Sequence, residues 1–320
     1  MTAHRHRWRR ARRIAFYVFL ALVAFLLVRY ARSVDWEQVG ATLAGYGSGT
    51  LAIAIAITVG SYLLYSCYDL AARRYVRHPL PAPRVMAIST VCYAFSLNVG
   101  ALVGGAGFRY RLYAHAGLGL GTISRIVAFT VGTNWLGYLL LAGALFASGR
   151  VVPPPHWPVS GRTLPLLGAA MLVAVAVYLV ACRVTHGRVF HLRGHHFRLP
   201  SVPLALVQLA LAATNWSLMA ALLFVLMPPH VSYASVLGAL LAAAVASAIA
   251  HIPAGIGVLE AVFIALLGHQ VPPPQMLAAL LAYRACYYLG PLLLAIAGYA
   301  ALEARVRGGD RGHAQVPADP

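Results

Sequence analysis

The chain contains no lysine, so all 25 of its basic residues are arginine. That absence excludes a Walker A loop, whose lysine reaches the nucleotide phosphates, and with it an ATP-driven cycle within this chain. Acidic residues number only seven, and none form the paired carboxylates that two-metal chemistry needs. No HExxH and no GxSxG motif occurs. The four cysteines, Cys67, Cys92, Cys182 and Cys286, form no CxxC pair and lie in or beside apolar runs. They read as membrane-buried packing residues rather than as a disulfide framework or metal site.

Apolar residues are abundant. The 320 residues are 61% hydrophobic and 10% charged, with mean hydropathy +0.75, which defines an integral membrane protein. A net charge of +18 would suggest a nucleic-acid partner in a soluble chain. Here most arginines lie in short stretches between apolar runs, where they act as cytoplasmic anchors facing anionic headgroups. Nucleic acid is therefore not an expected partner.

The apolar segments are Ile14–Tyr30, Leu51–Leu70, Met86–Leu120, Ile126–Ala147, Leu164–Cys182, Leu204–Leu226, Tyr233–Leu267 and Met276–Leu302. Most match one bilayer crossing; Met86–Leu120 and Tyr233–Leu267 are longer and broken. The basic N-terminus with Arg5 to Arg13 reads as cytoplasmic, leading into a retained anchor helix rather than a cleaved signal peptide. The loops bearing Arg73, Arg74, Arg77 and Arg84, and Arg183 to Arg198, read as cytoplasmic, as does the tail with Arg305, Arg307 and Arg311. The proline-rich loops at 148–163, 227–232 and 268–275 read as external.

This assignment requires each broken segment to enter and leave on one side. Met86–Leu120 becomes a re-entrant hairpin open to the cytoplasm, breaking at Gly104, Gly105 and Gly107. Tyr233–Leu267 becomes one open to the outside, breaking at Pro253, Gly255 and Gly257. The expected fold is an all-α polytopic membrane protein with about six spanning helices and two oppositely oriented re-entrant hairpins. Residues 14–303 form one transmembrane domain between a basic N-terminus (1–13) and a tail (304–320). Its halves, about 14–147 and 164–303, read as an inverted repeat, since a shift of about 150 positions aligns Gly105 with Gly255 and Gly107 with Gly257.

Glu260 and Arg284 are ionisable residues inside apolar stretches, and a charge at membrane depth is rare, paired or functional. Glu260 reads either as a proton or headgroup site or as a structural partner of Arg284. Arg284 lies roughly 13 Å into its helix, at about 1.5 Å per residue, where a guanidinium suits a phosphate or a carboxylate. Arg109 and Arg111 follow the first glycine break, where they either meet a phosphate beside converging N–H groups or serve as anchors. Asn98, Asn134 and Asn215 are membrane-embedded amides, suited first to hydrogen bonds between helices. Asn98 and Asn134 join the expected substrate-binding set. Thr-Asn-Trp occurs twice, at Thr133–Trp135 and Thr214–Trp216. Asp69, near Arg73 at the end of its helix, reads as interfacial. His251 reads as a cap for backbone groups beside Pro253. His186, His191, His195 and His196 read as a solvated, lipid-facing loop; no carboxylate or cysteine joins them, so no metal site is expected.

His251–Ala261, Tyr283–Tyr288, Gly104–Tyr113, Thr133–Tyr138 and Ser61–Leu70 together resemble the YbhN-like inner-membrane proteins of the lysylphosphatidylglycerol synthase transmembrane-region family. The resemblance extends from Trp8 to about Glu303. In the two-part enzymes of that family this region is regarded as a lipid flippase, beside a cytosolic aminoacyltransferase domain. This chain ends about twenty residues after its last apolar segment, so the resemblance implies no aminoacyl-lipid synthesis, no catalytic residues and no cofactor. It implies lipid handling without fixing the substrate, and the expected function is translocation of a phosphate-bearing lipid in a bacterial inner membrane. Membrane lipids are the expected partners, and the alternative is a non-catalytic membrane subunit of a lipid-metabolic enzyme.

Overall fold

A computed structural model describes residues 36–149, 163–185, 190–192, 195–250, 252 and 255–298. The expected first helix Ile14–Tyr30, the prolines at 153–155, His186, His251, Pro253 and the C-terminal tail lie outside the described residues.

The apolar runs form helices because lipid offers the backbone no hydrogen-bond partners, so each N–H and C=O must be satisfied within the segment. The helices are α1 (Trp36–Ala44), α2 (Ser48–Val76), α3 (Ala82–Val99), α4 (Phe108–His115), α5 (Leu120–Ala147) and α6 (Thr163–Val184). They continue with α7 (Val202–Leu226), α8 (Tyr233–Ala250), α9 (Val258–Leu267) and α10 (Pro273–Arg284). A π-helical turn, Ala101–Gly107, lies between α3 and α4, and a second, Ala285–Leu289, carries α10 onward to Gly298. Prolines open α3, α7 and α10, where their missing N–H would have no partner in any case. Between α6 and α7 a small antiparallel ribbon, β1 (Phe190–Leu192) and β2 (His195–Phe197), pairs His191 with His196. The sequence reading placed an irregular loop there.

Among the described residues six helices are long and apolar enough to cross a bilayer. They are α2, α5, α6, α7, α8 and Pro273–Gly298. The protein is an all-α polytopic membrane protein. The expected count of six is reached by a different set, since α8 joins it and Ile14–Tyr30 is not described.

Both broken segments fold back on themselves, the first at Gly100 (φ +99°) rather than at the expected Gly104, Gly105 and Gly107, which lie in the π-helical turn that follows it. A Cβ on Gly104 would lie 2.1 Å from the Phe95 carbonyl oxygen, and the Phe95 and Phe108 rings stack with centroids 4.0 Å apart. In a continuous helix those phenylalanines would be roughly 20 Å apart at about 1.5 Å per residue. In the second segment Gly255 sits against the Ser247 side chain, and α9 packs along α8. Gly255 and Gly257 adopt φ of +58° and +81°, a left-handed backbone that glycine adopts without strain.

Helices α2, α5 and α7 form the centre, with α6 against α5. Small residues permit the closest crossing: a Cβ on Gly137 would meet the Ala212 Cβ at 2.2 Å. Gly137→Ala is therefore expected to destabilise the protein by about 1–3 kcal/mol through overpacking. Gly132→Ala, where a Cβ meets nothing within 4 Å, should be neutral or stabilising by up to about 1 kcal/mol. Thermal unfolding of the two detergent-solubilised variants reads the difference.

Candidate functional site

Glu260 stands at the third position of α9, and its Oε2 accepts a hydrogen bond of 2.9 Å from the Gly257 N–H. This satisfies a donor that the start of a helix otherwise leaves open. Arg284, the last residue of α10, meets the same carboxylate with a forked contact. Its Nε donates to Oε1 at 2.7 Å and Nη2 to Oε2 at 3.1 Å. Nη2 also donates to the Gly255 carbonyl at 3.2 Å, and the guanidinium lies 5.5 Å from the Tyr288 ring centroid. The two side chains are 14% and 17% exposed, so the pair is half-buried rather than sealed.

The first break carries a second pair. Asp69, expected at the interface near Arg73, is wholly buried within the protein and pairs with Arg109. Arg109 donates to it from Nη2 at 3.1 Å and from Nε at 3.3 Å, and the Tyr113 hydroxyl donates to it at 2.8 Å. Arg109 Nη1 reaches the Gly105 carbonyl at 3.4 Å, and the guanidinium lies 5.8 Å from the Tyr65 ring centroid. The side chains of Arg109 and Asp69 are 4% and 0% exposed. Arg111 is exposed, because residues two apart on a helix face nearly opposite ways. The structure thus separates Arg109 from Arg111.

A polar aromatic cluster joins these pairs. Tyr65 stacks on Tyr93 with centroids 3.5 Å apart. The Tyr93 and Tyr287 hydroxyls are 2.7 Å apart, and Ser61 Oγ lies 2.6 Å from the Tyr287 hydroxyl. Ser61 donates to Asn215 Oδ1 at 2.8 Å, and Tyr62 donates to the Tyr287 carbonyl at 3.0 Å. Asn98 Nδ2 donates to the Ala94 and Tyr288 carbonyls at 2.8 and 3.2 Å, tying α3 to the π-turn after Arg284. Asn134 presents its backbone carbonyl to Trp216 Nε1 at 3.3 Å, so the two Thr-Asn-Trp motifs meet where α5 crosses α7. The sequence reading did not name these tyrosines. Their signal was the spacing of Tyr62, Tyr65 and Tyr68, which lines one helix face inside an apolar run.

No group of three or more His, Cys, Asp or Glu able to hold a metal occurs among the described residues. His78, just beyond the end of α2, is buried, and neither ring nitrogen has a hydrogen-bond partner. Burial and then the nearby Arg73 push its pKa down, against a smaller opposing effect of Asp69. The folded state therefore favours the neutral ring. His78 is expected to contribute full stability above its unfolded pKa of about 6.5 and to lose it as pH falls below that value toward the folded pKa. The thermal midpoint of wild type should drop over that window, and His78→Phe should flatten the drop.

Two ion-paired helix breaks around a buried tyrosine cluster, within helices of bilayer length, define a multi-pass membrane protein with a polar interior site. Residues 14–295 match the family model of the lysylphosphatidylglycerol synthase TM region, and the chain belongs to that family. It is 46% identical over 308 residues to the inner membrane protein YbhN of Escherichia coli K12, across 96% of this chain and 97% of that protein. An uncharacterized protein of Synechocystis sp. is 32% identical over 262 residues, 80% of each chain. A phosphatidylglycerol lysyltransferase of Staphylococcus haemolyticus is 23% identical over 244 residues, 73% of this chain but 27% of that enzyme.

Proposed function

We propose that this protein translocates a phosphate-bearing lipid across a bacterial inner membrane and carries out no covalent chemistry on it. The observation that carries this reading is the half-buried Arg284 fork at a helix break. A guanidinium in that setting binds carboxylate and phosphate oxygens with the same two-pronged geometry. Broken helices near the bilayer midplane are where secondary transporters place their substrates. The relatives support the setting: one is an inner membrane protein and another a phosphatidylglycerol lysyltransferase. In this reading the two folded-back segments are re-entrant from opposite faces, the termini are cytoplasmic, and Arg284, Glu260, Arg109, Asn98 and Asn134 surround the headgroup path. Arg111 meets the headgroup at the membrane surface.

The test is reconstitution of the purified protein into vesicles with headgroup-labelled and acyl-labelled phospholipids, followed by an impermeant quencher. Quenching beyond the outer leaflet is the expected result. Quenching equal to that of empty vesicles, across several headgroups and with a proton gradient imposed, overturns the reading. It would favour a membrane-embedded partner of a lipid-metabolic enzyme.

A further inference from the structure

The two helix breaks are built alike with their charges exchanged. At each, an arginine donates to the carbonyl of a glycine close to the break: Gly105, in the π-helical turn that follows Gly100, or Gly255, in the left-handed turn itself. Each of those glycines lies against a serine, Ser96 or Ser247, whose Oγ is 2.7 Å from where a Cβ would stand. At each, the guanidinium lies over a tyrosine, Tyr65 or Tyr288, and pairs with a carboxylate. At the first break the arginine follows the glycines and the carboxylate comes from the spanning helix α2. At the second the carboxylate follows the glycines and the arginine comes from the spanning helix α10.

Each carboxylate also holds a donor other than its arginine: Tyr113 for Asp69 and the Gly257 N–H for Glu260. Arg284 can therefore leave without stranding Glu260, which is also partly exposed, whereas Asp69 is wholly buried and keeps only Tyr113, so Arg109 leaves it at a cost of several kcal/mol unless the packing moves with it. Each arginine likewise keeps a glycine carbonyl and an aromatic face. The pairs differ in closure, with Asp69–Arg109 at 0% and 4% exposure and Glu260–Arg284 at 17% and 14%.

We infer that the two ion pairs are latches that open one at a time, and that a lipid phosphate opens a latch by replacing the carboxylate on the arginine fork. This rests on the translocase reading above and assigns the substrate an anionic phosphate headgroup. In the structure both latches are closed; the first is sealed and the second is partly accessible. Phosphate exchanges readily at such a fork because it offers oxygens at the carboxylate's spacing. The two latches share one rigid connection. Tyr65 stacks on Tyr93, Tyr93 meets Tyr287 hydroxyl to hydroxyl, and Tyr288 beside it covers Arg284. A displacement of either guanidinium must move this packed stack, because close-packed interiors switch between discrete arrangements rather than deform continuously.

The test places a single cysteine at Ser96 or at Ser247, both half-buried, in a full-length chain whose four native cysteines are replaced by serine. Modification by a thiol reagent is followed in vesicles. Asp69→Asn and Glu260→Gln loosen one latch each while keeping an oxygen for Tyr113 or for the Gly257 N–H. Asp69→Asn should raise labelling at position 96 and lower it at 247, and Glu260→Gln should do the converse, each by at least about fivefold. Vesicles containing phosphatidylglycerol should raise labelling at 247 relative to vesicles of phosphate-free glycolipid. An equal response to inorganic phosphate in glycolipid vesicles would support the exchange and assign the free anion as its ligand. Labelling that rises at both positions, changes only locally, or ignores both phosphate sources overturns the latches. Reciprocal labelling without lipid transport keeps the latches and removes the translocase reading; transport with independent labelling does the opposite.

Discussion

Arg284→Ala is expected to reduce lipid transport by about a hundredfold or more while the protein still accumulates in the membrane. The guanidinium makes two charge-assisted bonds to Glu260, at 2.7 and 3.1 Å, and in the proposed function it makes equivalent bonds to a phosphate. Hydrogen bonds to charged groups contribute about 1.5–3 kcal/mol each, and every 1.4 kcal/mol or so is tenfold in affinity. Loss of the protein is not expected, because Glu260 keeps the Gly257 N–H and the pair is already partly solvated. Arg284→Lys retains the charge but loses the fork, and should fall between alanine and wild type. Arg125→Ala is the control, since Arg125 is exposed and, among the described residues, its side chain hydrogen-bonds within its own helix, to Gly121 and Thr122. Initial rates of quenching in proteoliposomes, normalised to incorporated protein, check all three. Wild-type rates in Arg284→Ala would remove the arginine from the transport path.

Arg109→Ala should fail by a different route. Its partner Asp69 is wholly buried, so truncation leaves a desolvated carboxylate with Tyr113 as its remaining side-chain donor. Breaking one side of a buried pair costs about 3–5 kcal/mol, a large share of the roughly 5–15 kcal/mol that holds most folded proteins together. The variant is expected to unfold at markedly lower temperature in detergent and to be depleted from the membrane. The double variant Asp69→Leu with Arg109→Met should recover most of that loss, because replacing both charges by apolar groups of similar volume is often neutral. Thermal unfolding of the single and double variants forms the cycle. A double variant no more stable than Arg109→Ala would show that the cost lies in packing rather than in a stranded charge.

The contrast between these two arginines marks how far the sequence could be read. Glu260 and Arg284 were legible as a pair because both interrupt apolar runs and little other charge lies near them. The second break was legible at Gly255 and Gly257, which take a left-handed backbone, but the first was placed four or more residues late, since the helix is interrupted at Gly100. Asp69 was legible only as a charge near the end of its helix, with no partner named. The structure gives it Arg109, forty residues along the chain. The tyrosine cluster was not legible as a site, since a tyrosine in an apolar helix reads as core until its hydroxyl has a neighbour. Asn98 and Asn134 were legible as embedded amides, but their partners, the Tyr288 carbonyl and the Trp216 indole, belong to distant helices.

The sequence by itself determined the membrane class, most of the long helices and which two segments break. Hydropathy, helix length and glycine freedom are local properties, written in consecutive residues. Only the tertiary structure decided which charge meets which, that one pair is sealed and the other partly accessible, and that stacked tyrosines run between them. Those outcomes depend on how helices cross. A buried ion shares its desolvation with whatever partner the packing brings within about 3 Å, and no spacing along the chain encodes that partner.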